Sequence, residues 1–342
     1  MESSNKVKIV AECGVNHGGD TSLAHKYIDE AFASGADAIK FQTWLPGEIT
    51  GTYTSKCDYM LSGKGEKLSR YEISELLRLN HEEFIQLKNH ADDVGIEFMS
   101  TPDGLQSLNF LIENKLLRTL KIGSTEITNI PLLREVSKIN LPIYLSTGTA
   151  QFDEVSTAIN IFRERLNELI LMQCTSSYPC DDEFLNLKVL SQYKDAFGIS
   201  VGFSDHSIGK VASYVAIGLG AKVIEKHIYI DSEIWTPDKN ASMHIKEFRD
   251  FVKEIRRIEK MLGTQHKYRT QVEEKNLSAI RRGICASRKL KAGTILKKED
   301  ICLKRPFNGL DHSFIDIFIN KSLICDKDID QPFEISDICK KY

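Results

Sequence analysis

The chain is 342 residues long, 42% hydrophobic and 27% charged, an ordinary balance for a globular protein with room for one large domain and a small one. A formal net charge of -3 excludes nucleic-acid binding that relies on bulk positive charge. The start, "MESSNKVKIVAEC", holds no apolar signal core, and no segment offers about 18 uncharged apolar residues, so a cytoplasmic protein is expected, neither secreted nor membrane-spanning.

Short, near-continuously apolar runs recur along the chain. They are "KIVAECG" (8–14), "AIKFQ" (38–42), "EFMSTP" (97–102), "TLKIGS" (119–124), "PIYLSTG" (142–148), "LILMQCTSS" (169–177), "VGFSD" (201–205) and "VIEKHI" (223–228). Runs of this kind suit strands buried on both faces. Between them lie amphipathic stretches with helical spacing and frequent glycine stops, such as residues 22–36, 82–95 and 151–166. Strand–helix alternation repeated eight times predicts an α/β fold of the (β/α)8 TIM-barrel type, which typically takes about 250 residues. A doubly wound open sheet is the second choice, disfavoured because no G-x-G-x-x-G follows the first strand.

Residues 43–80 make one connection far longer than usual, which marks a lid, an interface element or a disordered excursion. A helix over 247–263 closes a barrel domain of residues 1–263. The polar stretch 264–282 reads as a linker, and residues 283–342 as a compact module small enough to lean on a partner surface. The eight cysteines form no C-x-x-C pair and are expected to be reduced thiols, with Cys13 and Cys174 as small core residues.

In such a barrel the chemistry sits at the C-terminal strand ends. Those ends carry Glu12; Lys40 and Gln42; Thr101; Lys121, Ser124 and Glu126; Ser146 and Thr147; Thr175 and Ser176; Ser204, Asp205 and His206; Glu225 and His227. A lone strand-end lysine is commonly a solvated surface residue, but Lys40 and Lys121 are flanked by apolar residues, which turns them into the barrel mouth. Two buried ammonium groups side by side need an anion between them. The expected ligand therefore carries phosphate or carboxylate, with Thr101, Ser124 and Ser204 as hydroxyl donors. His206 and His227 end the seventh and eighth strands, and adjacent strands lie about 4.8 Å apart, so the two imidazoles can reach one metal ion. The bland alternative is a hydrogen-bonded pair of core histidines. With Glu12 and Asp238 completing a mixed shell, the donors suit Mn2+ or Mg2+ more than a thiolate zinc site, and the ion would serve as a Lewis acid on a carbonyl oxygen. His17 is open between substrate contact and loop packing, and Asp205 between orienting His206 and capping the next helix.

The stretches "AECGVNHGGD", "GADAIKFQT", "LKIGSTEITNIPLL", "QCTSSYP", "GFSDHSIG", "VIEKHI", "TPDKNAS" and "KRPFNG" together resemble the N-acetylneuraminate (sialic acid) synthases and their legionaminate and pseudaminate synthase relatives. They cover nearly the whole chain in that family's order. The resemblance implies a condensation in which the enol carbon of phosphoenolpyruvate attacks the open-chain aldehyde of an N-acetylated amino sugar, N-acetylmannosamine first among them. Water adds at C2, phosphate leaves by C–O cleavage, and a nine-carbon 2-keto sugar acid results. By the same resemblance Lys40, Thr101, Lys121, Ser124, Ser176 and Ser204 hold phosphoenolpyruvate, and His206 and His227 bind the divalent metal. Glu12 and Glu126, beside Lys40 and Lys121, are the catalytic candidates for proton transfer and water positioning, and Tyr178, Asp238 and Arg305 contact the sugar. The module from 283 resembles the family's antifreeze-like (SAF) domain, which in that family reaches across a domain-swapped homodimer; Arg305 matches the arginine supplied from the other subunit.

Two departures bear on the acceptor. Many members read Gly-Pro-Asp-His where this chain has Thr236, Pro237, Asp238 and Lys239, and bacterial sialate synthases often have asparagine in place of Ser176. A 2,4-diacetamido hexose, leading to a legionaminate- or pseudaminate-type product, is therefore the alternative acceptor. More distant alternatives are a Schiff-base aldolase on Lys40 or Lys121, a metal-dependent hydrolase on the same barrel, and a non-enzymatic binding module.

Overall fold

A computed structural model describes residues 6–338 apart from Thr52 and Ser232. Eight parallel strands come in chain order: β1 (Lys8–Gly14), β2 (Ala38–Trp44), β3 (Glu97–Asp103), β4 (Leu120–Ile122), β5 (Ile143–Ser146), β6 (Leu169–Gln173), β7 (Ser200–Asp205) and β8 (Val223–Tyr229). Their spatial order is β3-β2-β1-β8-β7-β6-β5-β4. The first strand thus pairs with both the second and the last, and β3 lies against β4 to leave a nearly closed ring. This is the predicted (β/α)8 barrel, not the open sheet.

Helices α1 (Thr21–Ala33), α2 (Pro46–Ile49), α3 (Arg70–Leu77), α4 (His81–Val94), α5 (Leu105–Glu113), α6 (Ile130–Val136), α7 (Phe152–Ile161), α8 (Val189–Phe197), α9 (Val211–Gly218) and α10 (Ile245–Leu262) complete the first unit. Their ends follow local chemistry. Asn80 and Glu83 form a reciprocal capping box at the start of α4, and Gly95, at φ 92°, ends it in the left-handed conformation that a side chain would strain. Along α1 the buried stripe Leu23, Ala24, Tyr27, Ile28 and Ala31 has helical spacing and faces the barrel.

Strand alternation sorts the barrel into two layers. Outward residues such as Ile9, Phe41, Phe98, Leu145, Phe203 and Ile224 pack in one apolar layer with the helices. Inward residues Val10, Ala38, Met99, Tyr144, Met172 and Val223 form a separate apolar plug. Two residues further along those same strands stand Glu12, Lys40, Thr101, Ser146, Cys174 and Glu225. The site is therefore the next inward layer above the plug. Cys174 is buried as expected, and it stands in this layer and lines the cavity above it.

The long connection 43–80 is folded. Trp44, Met60, Ile73 and Leu77 cluster with Val15, joined by Tyr59, Leu68 and Trp235. Gly65 fits because a Cβ there would meet the Met60 carbonyl oxygen at 2.0 Å and the Trp235 ring at 2.6 Å. Among the described residues no helix is long and apolar enough to cross a membrane.

Residues 264–342 form a second compact unit. The stretch read as a linker holds helix α11 (Gln271–Ile280), started by the Thr270–Glu273 capping box. The signal was T-x-x-E, which the charge of the segment obscured. Phe307 N–H bonds the Ser278 carbonyl, tying the helix to its own unit. Strands β9 (Gly283–Ala286) and β10 (Ile301–Lys304) pair antiparallel, with Cys285 opposite Cys302. Ile284, Leu290, Leu296, Phe318, Leu323 and Phe333 form a small core, and the buried Lys327–Asp337 pair (2.7 Å) closes it.

Candidate active site

A cavity of about 390 Å³ opens at the C-terminal strand ends. Its wall brings together Glu12, Lys40, Thr101, Lys121, Ser124 and Ser176, and also Tyr178, Ser204, His206, His227 and Asp238. One of the residues expected there lies elsewhere. Glu126 sits on the 3-10 turn after β4, where its Oε2 accepts a hydrogen bond from Asn129 Nδ2 at 2.6 Å, and it does not line the cavity. Arg305 is an exposed residue of the second unit and donates from Nε to the Ile280 carbonyl at 2.7 Å.

The two lysines are as buried as the sequence implied, at 2% and 3% exposure. Within the chain, two carboxylates stand against them. Lys121 Nζ donates to Glu225 Oε1 at 3.1 Å, and Lys40 Nζ lies 3.7 Å from the same oxygen and 2.9 Å from Glu12 Oε2. Lys40 also donates to Thr101 Oγ1 at 3.0 Å, and Ser204 Oγ to Glu225 Oε1 at 2.9 Å. The reason is the strand period: β8 turns Val223, Glu225 and His227 inward together, so the carboxylate lands opposite the lysines. Burial opposes both carboxylates. At Glu12 burial, with the Glu225 charge adding to it, outweighs Lys40 and pushes the group up to about 7, whereas Lys121 and Lys40 outweigh burial at Glu225 and hold it down to about 2. One acid therefore titrates near neutrality beside one that stays ionised.

The imidazoles of His206 and His227 lie 5.5 Å apart between ring centroids, with the Tyr178 ring 4.1 Å from His206. Nδ1 of His206 is engaged with the Thr175 carbonyl at 2.7 Å, which leaves Nε2 on the cavity side, 3.4 Å from Ser204 Oγ. Nδ1 of His227 is buried with no hydrogen-bond partner, 3.7 Å from Asp238 Oδ2. Burial keeps both rings neutral, His206 at about 4 and His227 well below its ordinary value with His206 adding to the effect. Two neutral imidazoles, one with an unmet nitrogen, are suitable donors for a divalent cation. Among the described residues no three His, Cys, Asp or Glu side chains converge on one point, so the carboxylate-completed shell expected from Glu12 and Asp238 is not preformed.

A cluster of hydroxyls also lines the cavity. Ser124 Oγ accepts from Gly148 N–H at 3.0 Å, and a Cβ on Gly148 would come within 2.3 Å of Ser176 Oγ and 2.8 Å of Ser124 Oγ. Ser146 Oγ, also in the wall, is buried without a partner.

For the 43–80 connection the sequence allows a lid as one of three readings but names none of the residues that line the cavity as its roof. Trp44, Ile49, Tyr59, Met60, Arg70, Ile73 and Leu77 all come from the 43–80 connection and line the cavity. A strand-end rule cannot find them because they lie on no strand end except Trp44. Arg70, whose guanidinium touches the Met60 sulfur, is the one cation the roof contributes to the wall among the described residues.

A nearly closed barrel with acid, base and paired imidazoles at its C-terminal mouth defines the class as a barrel enzyme. Residues 27–267 match the NeuB family, and the chain belongs to it. It is similar to the N,N'-diacetyllegionaminic acid synthase of Legionella pneumophila, 38% identical over 326 residues that cover 94% of this chain and 91% of that one. It is 34% identical to a pseudaminic acid synthase of Campylobacter jejuni over 341 residues, 98% of each chain. Among solved structures, the N-acetylneuraminic acid synthetase of Leptospira borgpetersenii in complex with citrate superposes with a TM-score of 0.71 at 33% identity, over 81% of this chain and 92% of that one.

Proposed function

We propose that the protein condenses phosphoenolpyruvate with a 2,4-diacetamido hexose, giving a legionaminate- or pseudaminate-type 2-keto sugar acid and phosphate. The C3 enol carbon forms the new bond to the acceptor's aldehyde carbon, water adds at C2, and the C2–O bond to phosphate breaks. The observation that carries the reaction class is the inward layer itself, in which lysines, hydroxyls and imidazoles converge on one cavity. Lys40, Lys121, Thr101, Ser124, Ser176 and Ser204 hold the phosphoenolpyruvate anion, the lysines turning toward it from Glu12 and Glu225. Glu12, poised near neutrality beside Lys40, takes the proton of the water that adds at C2. A divalent ion held by His206 and His227 supplies Lewis-acid polarisation of the acceptor carbonyl when bound. Tyr178 and Asp238 border that position and orient the sugar. Arg305, on a unit that resembles an antifreeze-like module, reaches the acceptor of a second copy in a homodimer.

The acceptor is read from the roof. Ile49, Met60, Ile73 and Leu77 present apolar surface, which suits acetamido methyl groups. The greater identity to the legionaminic acid synthase than to the N-acetylneuraminic acid synthetase points the same way. This favours a diacetamido sugar over the N-acetylmannosamine expected from the sequence. With phosphoenolpyruvate fixed, kcat/KM for a 2,4-diacetamido hexose is expected to exceed that for N-acetylmannosamine by at least about tenfold, the discrimination a single apolar group gives. The reverse order removes the acceptor assignment and leaves the condensation standing.

Gly148→Ala tests the hydroxyl wall. Its methyl would push on Ser124 and Ser176, so KM for phosphoenolpyruvate is expected to rise about tenfold or more, a loss of about 1.4 kcal/mol in binding. An unchanged KM in a folded variant removes these serines from the anion site.

A further inference from the structure

We infer that the buried Asp205–Lys226 ion pair, on the outer face of the barrel, is a positioning device that sets the two cavity histidines. On β7 and β8 the outward layer is otherwise apolar: Val201 and Phe203 precede Asp205 on β7, and Ile224 and Ile228 flank Lys226 on β8. Asp205 and Lys226 are 0% and 1% exposed, stand opposite each other in the β7–β8 register, and meet at 3.1 Å. A buried ion pair seldom stabilises a protein more than apolar residues of the same volume would, so its place in this layer calls for a positional reason.

The bonds around the pair supply one. Asp205 Oδ1 accepts from Ser207 N–H at 2.9 Å and from Ser207 Oγ at 2.7 Å, and Oδ2 accepts from Ser213 Oγ on α9 at 2.6 Å. Lys226 Nζ donates to the Ser207 carbonyl at 2.5 Å. Residues 205 and 207 are thus both clamped, and His206 is the residue between them. Cys180 N–H adds a bond to the His206 carbonyl at 2.9 Å. On the next strand, Lys226 is the neighbour of His227. One ion pair on the outer face therefore ties down the backbone on which both imidazoles stand, with α9 as a third anchor. Asp205 reaches His206 through this backbone and not by orienting the ring, whose Nδ1 is held by Thr175.

The inference rests on His206 and His227 being metal donors, and the test separates the two claims. The double variant Asp205→Asn/Lys226→Met removes both charges and leaves neither orphaned. In the full-length protein it is expected to keep cooperative melting while Mn2+ affinity, followed by electron paramagnetic resonance, falls by about 10- to 100-fold, as for lost outer-shell partners. In the metal-free protein the 15N resonances of the His206 ring are expected to shift and broaden. A folded double variant with wild-type Mn2+ affinity and unchanged imidazole resonances overturns the inference. If the wild type itself takes up no Mn2+, the metal reading fails, and the imidazole resonances alone decide the positioning claim. Should the double variant not fold, Ser213→Ala decides in its place. It removes one hydroxyl from Asp205 and is expected to weaken Mn2+ binding about threefold, and wild-type affinity and ring resonances there overturn the inference.

Discussion

His206→Ala or His227→Ala is expected to lower kcat/KM at least about a thousandfold, because in the proposed mechanism Lewis-acid stabilisation of several kcal/mol depends on both donors. The fold is expected to survive. Each ring is buried, but its removal leaves no charge behind, since burial already keeps both neutral. The measurement is kcat/KM beside Mn2+ affinity and circular dichroism on each variant. Full activity in either one removes the metal assignment. A loss of activity with undiminished Mn2+ binding instead places that histidine on the substrate.

Glu225→Gln is expected to destabilise the fold by about 3 kcal/mol, read as a lowered urea midpoint, since it leaves Lys40 and Lys121 buried with Glu12 alone between them. The pH dependence follows from the direction of the shift. Burial works against the Glu225 carboxylate, but the two lysines outweigh it and hold the group at about 2, below its ordinary value of 4.5. A depressed carboxyl contributes stability that is present above its unfolded value and is lost as the pH falls toward the folded one. The gap between wild type and Glu225→Gln is therefore expected to narrow as the pH is lowered from about 4.5 toward 2. A gap independent of pH in that range contradicts the ion-pair assignment.

The barrel was legible because its signal is repeated. Each apolar run is short, each is followed by a helical stretch, and the run from Lys8 to Gly14 coincides with β1. Most of the site was legible for the same reason, since strand ends occupy one rim of the barrel. Counting by twos along β8 puts Glu225 on the inward face with His227, yet its role stayed hidden, because only the closed ring shows which strand end faces Lys40 and Lys121. Two buried lysines call for negative charge, and the part of it that Glu225 and Glu12 supply is visible only in the folded ring. Glu126 follows the end of β4 only after Gly123, Ser124 and Thr125, and the 3-10 turn from Ser124 carries it onto Asn129 and out of the wall. Arg70 and Met60 had no periodic signal, lying in a connection whose packing depends on the distant Trp235. Residue pairs far apart in sequence, such as Asp205 with Lys226, become visible only once register is known.

The most direct measurement is phosphate release from phosphoenolpyruvate labelled with 18O at the C2–O bridge, with a 2,4-diacetamido hexose present or absent, before and after EDTA treatment. Acceptor-dependent release of 18O-labelled phosphate is expected, lost with EDTA and restored by Mn2+. Release that ignores the acceptor, label retained in the keto acid, or full turnover in EDTA would each contradict a metal-dependent condensation by C–O cleavage at this barrel mouth.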